Sequence, residues 1–143
     1  MDESCDFCRE SGGRVLWEDA LCRVVEAPEP AYPGFTRVIL NRHVREMTDL
    51  PAPERERLMR IVFAVEAAVR EAMMPDKMNL ASLGNMTPHV HWHVIPRFND
   101  DRHFPSPVWA EARRAEPHRP ERAARAERLA ESLARQIDAA VGS

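Results

Sequence analysis

The sequence predicts a chain of mixed helix and strand, and three observations carry that expectation. Short segments rich in β-branched residues stand between turn-forming residues. Two longer segments carry apolar residues at helical spacing. One short segment alternates histidine with apolar residues. Taken in order, Arg14 to Trp17 and Leu21 to Glu26 form a predicted hairpin, with Glu18-Asp19 at the turn. Pro28, Pro30 and Pro33-Gly34 mark an irregular loop, and Phe35 to Leu40 supplies a third strand. Pro51 and Pro53 suit a helix start, where a missing N–H costs little. From Glu54 to Met74, Leu58, Ile61, Val62, Val65, Val69 and Met73 recur on one helical face, opposite Glu54, Arg55, Glu56, Arg57 and Arg60. That face is core. Asn79 to Leu83 and His89 to Ile95 are the last strands, joined by a Gly84-Asn85-Met86-Thr87-Pro88 turn. Arg119 to Val141 is a second helix, with Leu129, Leu133, Ile137 and Ala140 on one side.

The chain has 143 residues, which favours one domain with a modest core. A net charge of −3 gives no electrostatic reason to expect nucleic acid as a partner. The start, Met1-Asp2-Glu3-Ser4-Cys5, is acidic and lacks the apolar stretch of a secretory signal. The longest apolar run, Ile61 to Val65, is too short for a membrane span. Three cysteines cannot all pair within one chain. The expectation is a soluble cytoplasmic protein with reduced thiols and no membrane partner. Cys22, inside a strand, is expected to be a small buried apolar residue. Cys5-Asp6-Phe7-Cys8 is open between metal binding, redox chemistry and no role, although no βαβ pattern supports a thioredoxin-like use.

The most informative stretch is His89-Val90-His91-Trp92-His93-Val94-Ile95, followed by Pro96-Arg97. Its period of two predicts a strand with Val90, Trp92 and Val94 in a core and the three histidines on a wet face. Same-face residues lie roughly 6.6 Å apart along a strand, so His89 and His93 are roughly 13 Å apart. Both cannot hold one metal ion while the strand stays regular. The three rings must divide their work.

This stretch resembles the signature of the histidine-triad (HIT) family, His-apolar-His-apolar-His-apolar-apolar. Gly84 and Arg97 resemble its usual flanks, and the likeness runs from about Cys5 to Trp109. It implies an α+β fold: one antiparallel sheet of about five strands, one main helix packed on it, and a C-terminal helix. The domain division is then a HIT domain over 1–109, including the N-terminal knuckle, and a helical extension over 110–143. The family usually forms homodimers.

The resemblance also implies chemistry. His91 matches the histidine that attacks the α-phosphate of a nucleotide conjugate to form a nucleotidyl-histidine intermediate, and His93 the one that contacts phosphate and helps the leaving group. Asn79, Gly84 and Asn85 match positions lining the phosphate site. Met86 stands where a serine or threonine is common, so Thr87 is the candidate substitute. Glu26 stands near the place of a ribose-binding aspartate, one residue out of step. Cys5, Cys8, His43 and His89 match a four-ligand structural zinc site found in some bacterial members, a closed site with no position for water. On this view no divalent ion is required for the chemistry. Trp109 is open between covering the pocket and anchoring the tail. His103 and His118 lie in polar loops and are expected to be solvated.

The implied activity is hydrolysis or transfer of nucleoside monophosphates from dinucleoside polyphosphates or nucleoside phosphoramidates, with an adenosine-containing substrate. The alternative is a nucleotide-binding scaffold with little turnover, motivated by Met86 and the absent aspartate. A metal-dependent hydrolase ranks third, because no carboxylate ligand lies near the triad in sequence.

Overall fold

The computed structural model describes residues 2–142. A short helix α1 (Asp6–Arg9) precedes β1 (Arg14–Glu18), β2 (Cys22–Glu26) and β3 (Thr36–Leu40). The long helix α2 (Ala52–Met73) then leads to β4 (Lys77–Ala81), β5 (His91–Arg97), α3 (Pro120–Ala126) and α4 (Leu129–Val141). The strands form one antiparallel sheet in the order β1-β2-β3-β5-β4. The turn between β1 and β2 is held by Asp19, whose Oδ1 accepts from the N–H groups of Leu21 and Cys22 at 2.9 Å. None of the helices among the described residues is long and apolar enough to cross a membrane.

The pleat gives the two faces of the sheet different work. Cys22, Val24, Val38, Leu40 and Val94 point to one side, where Leu58, Ile61, Val62, Val65, Val69 and Met73 of α2 cover them. Each fully buried aliphatic side chain here contributes about 1.5–3 kcal/mol. Gly34, at φ +86°, leads into β3; a Cβ there would stand 2.7 Å from Met73 Cγ, so only glycine lets the loop approach the helix end. The C-terminal helices share this core: Ala126, Leu129, Leu133 and Ile137 are buried in it.

Three expectations shift. The C-terminal helix is two helices, separated at Glu127-Arg128, where Arg128 has φ −89° and ψ −3°. In α3, Arg122 lies 3.7 Å from the Phe98 ring centre and pairs with Asp100, whereas α4 runs along α2, so each half follows its own surface. Second, β4 begins at Lys77 and ends at Ala81, because its ladder starts at Lys77 opposite Arg97. Third, β5 begins at His91 rather than His89. The β3–β5 ladder ends at Ile39–His91; beyond it, Val90 donates to Val44 O and accepts from Leu40 N.

On the other side of the sheet, Arg97 is buried with its donors engaged. Nε and Nη2 donate to Asp101, Nη1 to Asn79 Oδ1, and Nη2 also to Ser106 O. His103, expected to be solvated, is buried here against the Tyr32 hydroxyl, 2.6 Å from Nδ1. The physical reason is the Asp101 carboxylate, which accepts the N–H groups of Phe98, His103 and Phe104 and folds the loop inward. His118 is exposed, as expected.

Burial raises the Asp101 pKa, but the Arg97 guanidinium and the three N–H groups outweigh it and hold the carboxyl at about 2. The ordinary value is about 3.9. Its stabilisation is therefore complete above about pH 4 and is lost as pH falls through about 2. Asp101→Asn is expected to cost about 3–5 kcal/mol at pH 7, the cost of leaving a buried guanidinium unpaired. It should also flatten the acid limb of stability below pH 4. Denaturant melts of both proteins at pH 7, 4 and 3 check this; parallel acid limbs would contradict it.

Candidate active site and metal centre

His91 and His93 share the sheet face opposite α2, and that face is not wet. Their exposures are 5 % and 7 %. The N-terminal knuckle and the loop after β5 roof them over. Phe7 meets the His91 ring edge-on at 4.7 Å between centres, while Phe35 and Trp109 meet His93 at 5.7 and 5.0 Å. The roof is pinned by Arg23, whose guanidinium donates to the carbonyls of Phe7, Glu10 and Ser11 and to Asn41.

The tautomers follow from the partners. His91 Nδ1 lies 2.6 Å from His89 O; a carbonyl only accepts, so Nδ1 carries the proton and Nε2 keeps its lone pair. Burial lowers the His91 pKa, against the raising effect of that bond, and the nearby Arg37 charge lowers it further. Burial, then His91 and Arg37, push His93 down to about 3. Both rings are therefore neutral near pH 7. The buried Nδ1 of His93 has no hydrogen-bond partner, and an orphaned polar atom in so enclosed a place suits a ligand.

A cleft of about 330 Å³ opens beside His91, lined also by Ser82, Gly84, His89, Trp92 and the segment Arg45–Thr48. That lies within the size range of small-molecule sites, about 300–1,000 Å³. Gly84 adopts φ +76°, a conformation that favours glycine, as its segment turns toward β5. Ser82 Oγ donates to His91 O at 2.6 Å and fixes the strand at its start.

His89 sits at 1 % exposure and faces a different cluster. Its Nε2 lies 2.6 Å from Leu40 O and donates to it, leaving the Nδ1 lone pair free. That Nδ1 stands 3.4 Å from Cys5 Sγ, 3.6 Å from Cys8 Sγ and 3.3 Å from His43 Nδ1. Cys8 Sγ is 3.4 Å from His43 Nδ1, and all four ligand atoms lie within 4.8 Å of one another. Zinc–nitrogen and zinc–sulfur bonds of about 2.0–2.1 and 2.3 Å imply tetrahedron edges of about 3.3–3.8 Å. The four separations just given, 3.3–3.6 Å, fall in that range, and the Leu40 carbonyl orients a ligand as second-sphere acceptors do. The Asp2 carboxylate lies 3.9 Å from His43 Nε2.

The remaining candidates separate. Gly84 lines the His91 cleft. Asn85 is exposed in the same turn and Thr87 is half-buried, its carbonyl accepting from His89 N. Asn79 lies on the histidine side of the sheet, but its Oδ1 is occupied by Arg97. Glu26 is not brought to the histidines: its register with Thr36 and Val94 turns it to the helix side. There it pairs with Arg14 and lines a separate hollow with Tyr32 and Ala126. The sequence pattern gave no reason to single out Arg37, which pairs with His93 across β3 and β5. Its place on the histidine face was readable only from strand register.

A family model described as the HIT domain matches residues 9–100. The asymmetrical bis(5′-nucleosyl)-tetraphosphatase of Schizosaccharomyces pombe is 28 % identical over 95 residues, 63 % of this chain and 52 % of that protein. The chain spans about half the length of the curated relatives it matches. A histidine triad protein from Bradyrhizobium japonicum superposes with a TM-score of 0.71 at 26 % identity, over 89 % of this chain and 92 % of that one. A Zn-bound histidine triad family protein from Mycobacterium smegmatis does so with a TM-score of 0.66 at 25 % identity, over 95 % and 97 %. With its family model spanning well over half the residues and its fold shared with these structures, the chain belongs to the HIT family.

Proposed function

We propose that the protein hydrolyses or transfers nucleoside monophosphates from dinucleoside polyphosphates or nucleoside phosphoramidates, through a nucleotidyl intermediate on His91. The observation that carries this is the free Nε2 lone pair of a buried, neutral imidazole beside an open cleft. Similarity to the Schizosaccharomyces pombe relative, a bis(5′-nucleosyl)-tetraphosphatase, supports the reaction class.

In the first step, His91 Nε2 forms a bond to the α-phosphorus and the bond to the leaving group breaks, its electron pair departing with that group. In the second, water attacks the same phosphorus, the P–N bond breaks, the ring recovers its lone pair, and the proton lost by the water passes to solvent. His93 is neutral on arrival, so it contributes a hydrogen bond to a phosphate oxygen rather than a positive charge. Gly84 lets backbone come close to the anion, and Asn85 and Thr87 stand in the adjoining turn. The reaction as drawn requires no divalent ion.

Cys5, Cys8, His43 and His89 are proposed to hold one structural zinc. With both thiols and both rings engaged, such an ion would tie the N-terminal knuckle to the segment leading into β5 and hold Phe7 over His91.

The scaffold reading draws on Glu26, which stands away from the cleft and leaves the ribose without that ligand. Turnover of diadenosine tetraphosphate and of a fluorogenic adenosine phosphoramidate decides between them. The enzyme reading expects His91→Ala to lower kcat by about a thousandfold or more while nucleotide still binds. Binding without turnover in the wild type would favour the scaffold.

Elemental analysis is expected to find about one zinc per chain. Cys5→Ser should lower the melting temperature by several degrees, about 1–3 kcal/mol, yet change kcat less than about threefold. Lost turnover at unchanged stability would contradict the structural role.

A further inference from the structure

The histidine face of the sheet carries three arginines, Arg23, Arg37 and Arg97, as the register shows. Two of them are spent. Arg23 places every guanidinium nitrogen on a carbonyl or on Asn41, and Arg97 does the same on Asp101, Asn79 and Ser106. Arg37 is different. Its Nη1 donates to Gly12 O at 2.8 Å, but its buried Nε has no hydrogen-bond partner. It forms no ion pair among the described residues. Its guanidinium carbon lies 5.8 and 5.9 Å from the Phe7 and Phe35 rings, the residues that roof His91 and His93.

A half-buried cation with an orphaned N–H is costly unless an anion completes it. Arg37 stands one rung from His91 along the face, directly across from His93, whose Nδ1 is also orphaned. The two unpartnered nitrogens thus belong to directly paired residues of neighbouring strands on one face. A rung spans roughly 6.6 Å, within reach of a long side chain and a chain of phosphates.

We propose that Arg37 binds the anionic group attached to the reacting phosphorus, so that the site prefers nucleotides carrying a second phosphate over those whose leaving group is an uncharged amine. The inference rests on the nucleotidyl-transfer reading of His91 and names the substrate class for it: phosphoanhydrides. When His91 Nε2 forms its bond to the α-phosphorus, the bridging P–O bond breaks and its electron pair stays on the leaving phosphate. That group gains negative charge as it departs, and a guanidinium beside it is stabilising at that moment. No proton need be supplied to such a leaving group. An amine leaving group gains nothing from Arg37.

The test measures binding and turnover separately. Titration calorimetry with ADP and with AMP compares the wild type, Arg37→Leu and Arg37→Lys. Arg37→Leu is expected to weaken ADP by about tenfold or more while AMP changes less than about threefold, and Arg37→Lys to retain part of the preference. In turnover, Arg37→Leu should lower kcat/KM for diadenosine tetraphosphate at least about tenfold more than for adenosine phosphoramidate. Thermal melts show whether Arg37→Leu folds; if it does not, the Arg37→Lys shift in ADP against AMP decides. Equal losses for both ligands, or none, would overturn the proposal and assign Arg37 to holding the Gly12 carbonyl. Absent turnover in the wild type, with an Arg37-dependent preference for ADP, would sink the enzymatic reading and leave the anion site standing.

Discussion

Two hydrogen bonds of the same kind set up everything on the histidine side of the sheet. The His89 ring gives its Nε2–H to the Leu40 carbonyl, and the His91 ring gives its Nδ1–H to the His89 carbonyl, each at 2.6 Å. A carbonyl has no proton to offer, so each bond determines which nitrogen keeps a lone pair. The one on His89 faces two cysteines and His43; the one on His91 is left for a ligand. Adjacent members of one motif thus become a candidate metal ligand and a candidate nucleophile without any difference in side-chain chemistry. The ladder's end at His91 is what permits it, because a regular strand would have aimed both rings the same way.

The sheet then acts as a partition. On the α2 side it is apolar and closed, and the C-terminal helices complete that core. On the other side, buried polar groups are satisfied one by one: Arg97 by Asp101, Arg23 by the knuckle's carbonyls. Beside these, the buried Nδ1 of His93 and Nε of Arg37 have no partner among the described residues. Two unpartnered nitrogens on paired residues beside a candidate nucleophile are where stability is spent on something other than folding.

Much of this was legible in the residues. The helix over Ala52–Met73 followed from its apolar spacing, because a single face had to be buried. The five strands followed from β-branched runs between turns, and the fold matches the HIT arrangement implied by His89–Ile95. Period-two alternation placed His91 and His93 on one side but could not say that Phe7, Phe35 and Trp109, distant in sequence, would roof them. His103 was misjudged for the same reason: a polar loop gives no sign that one carboxylate, Asp101, will draw it inward. Glu26 was placed by chain position, whereas its face depends on register with β3, which a single sequence does not display. Arg37 went unnoticed because a lone arginine in a strand has no motif around it.

The account stands or falls on the free nitrogen of His91. The most direct measurement is rapid quenching during turnover of an adenylated substrate, under alkaline conditions that preserve a P–N bond, followed by peptide mass spectrometry. The account predicts one adenylyl group, carried on His91. An adenylyl group on any other residue, or rapid turnover in which no labelled protein ever accumulates even as the water-dependent step is slowed, would contradict it.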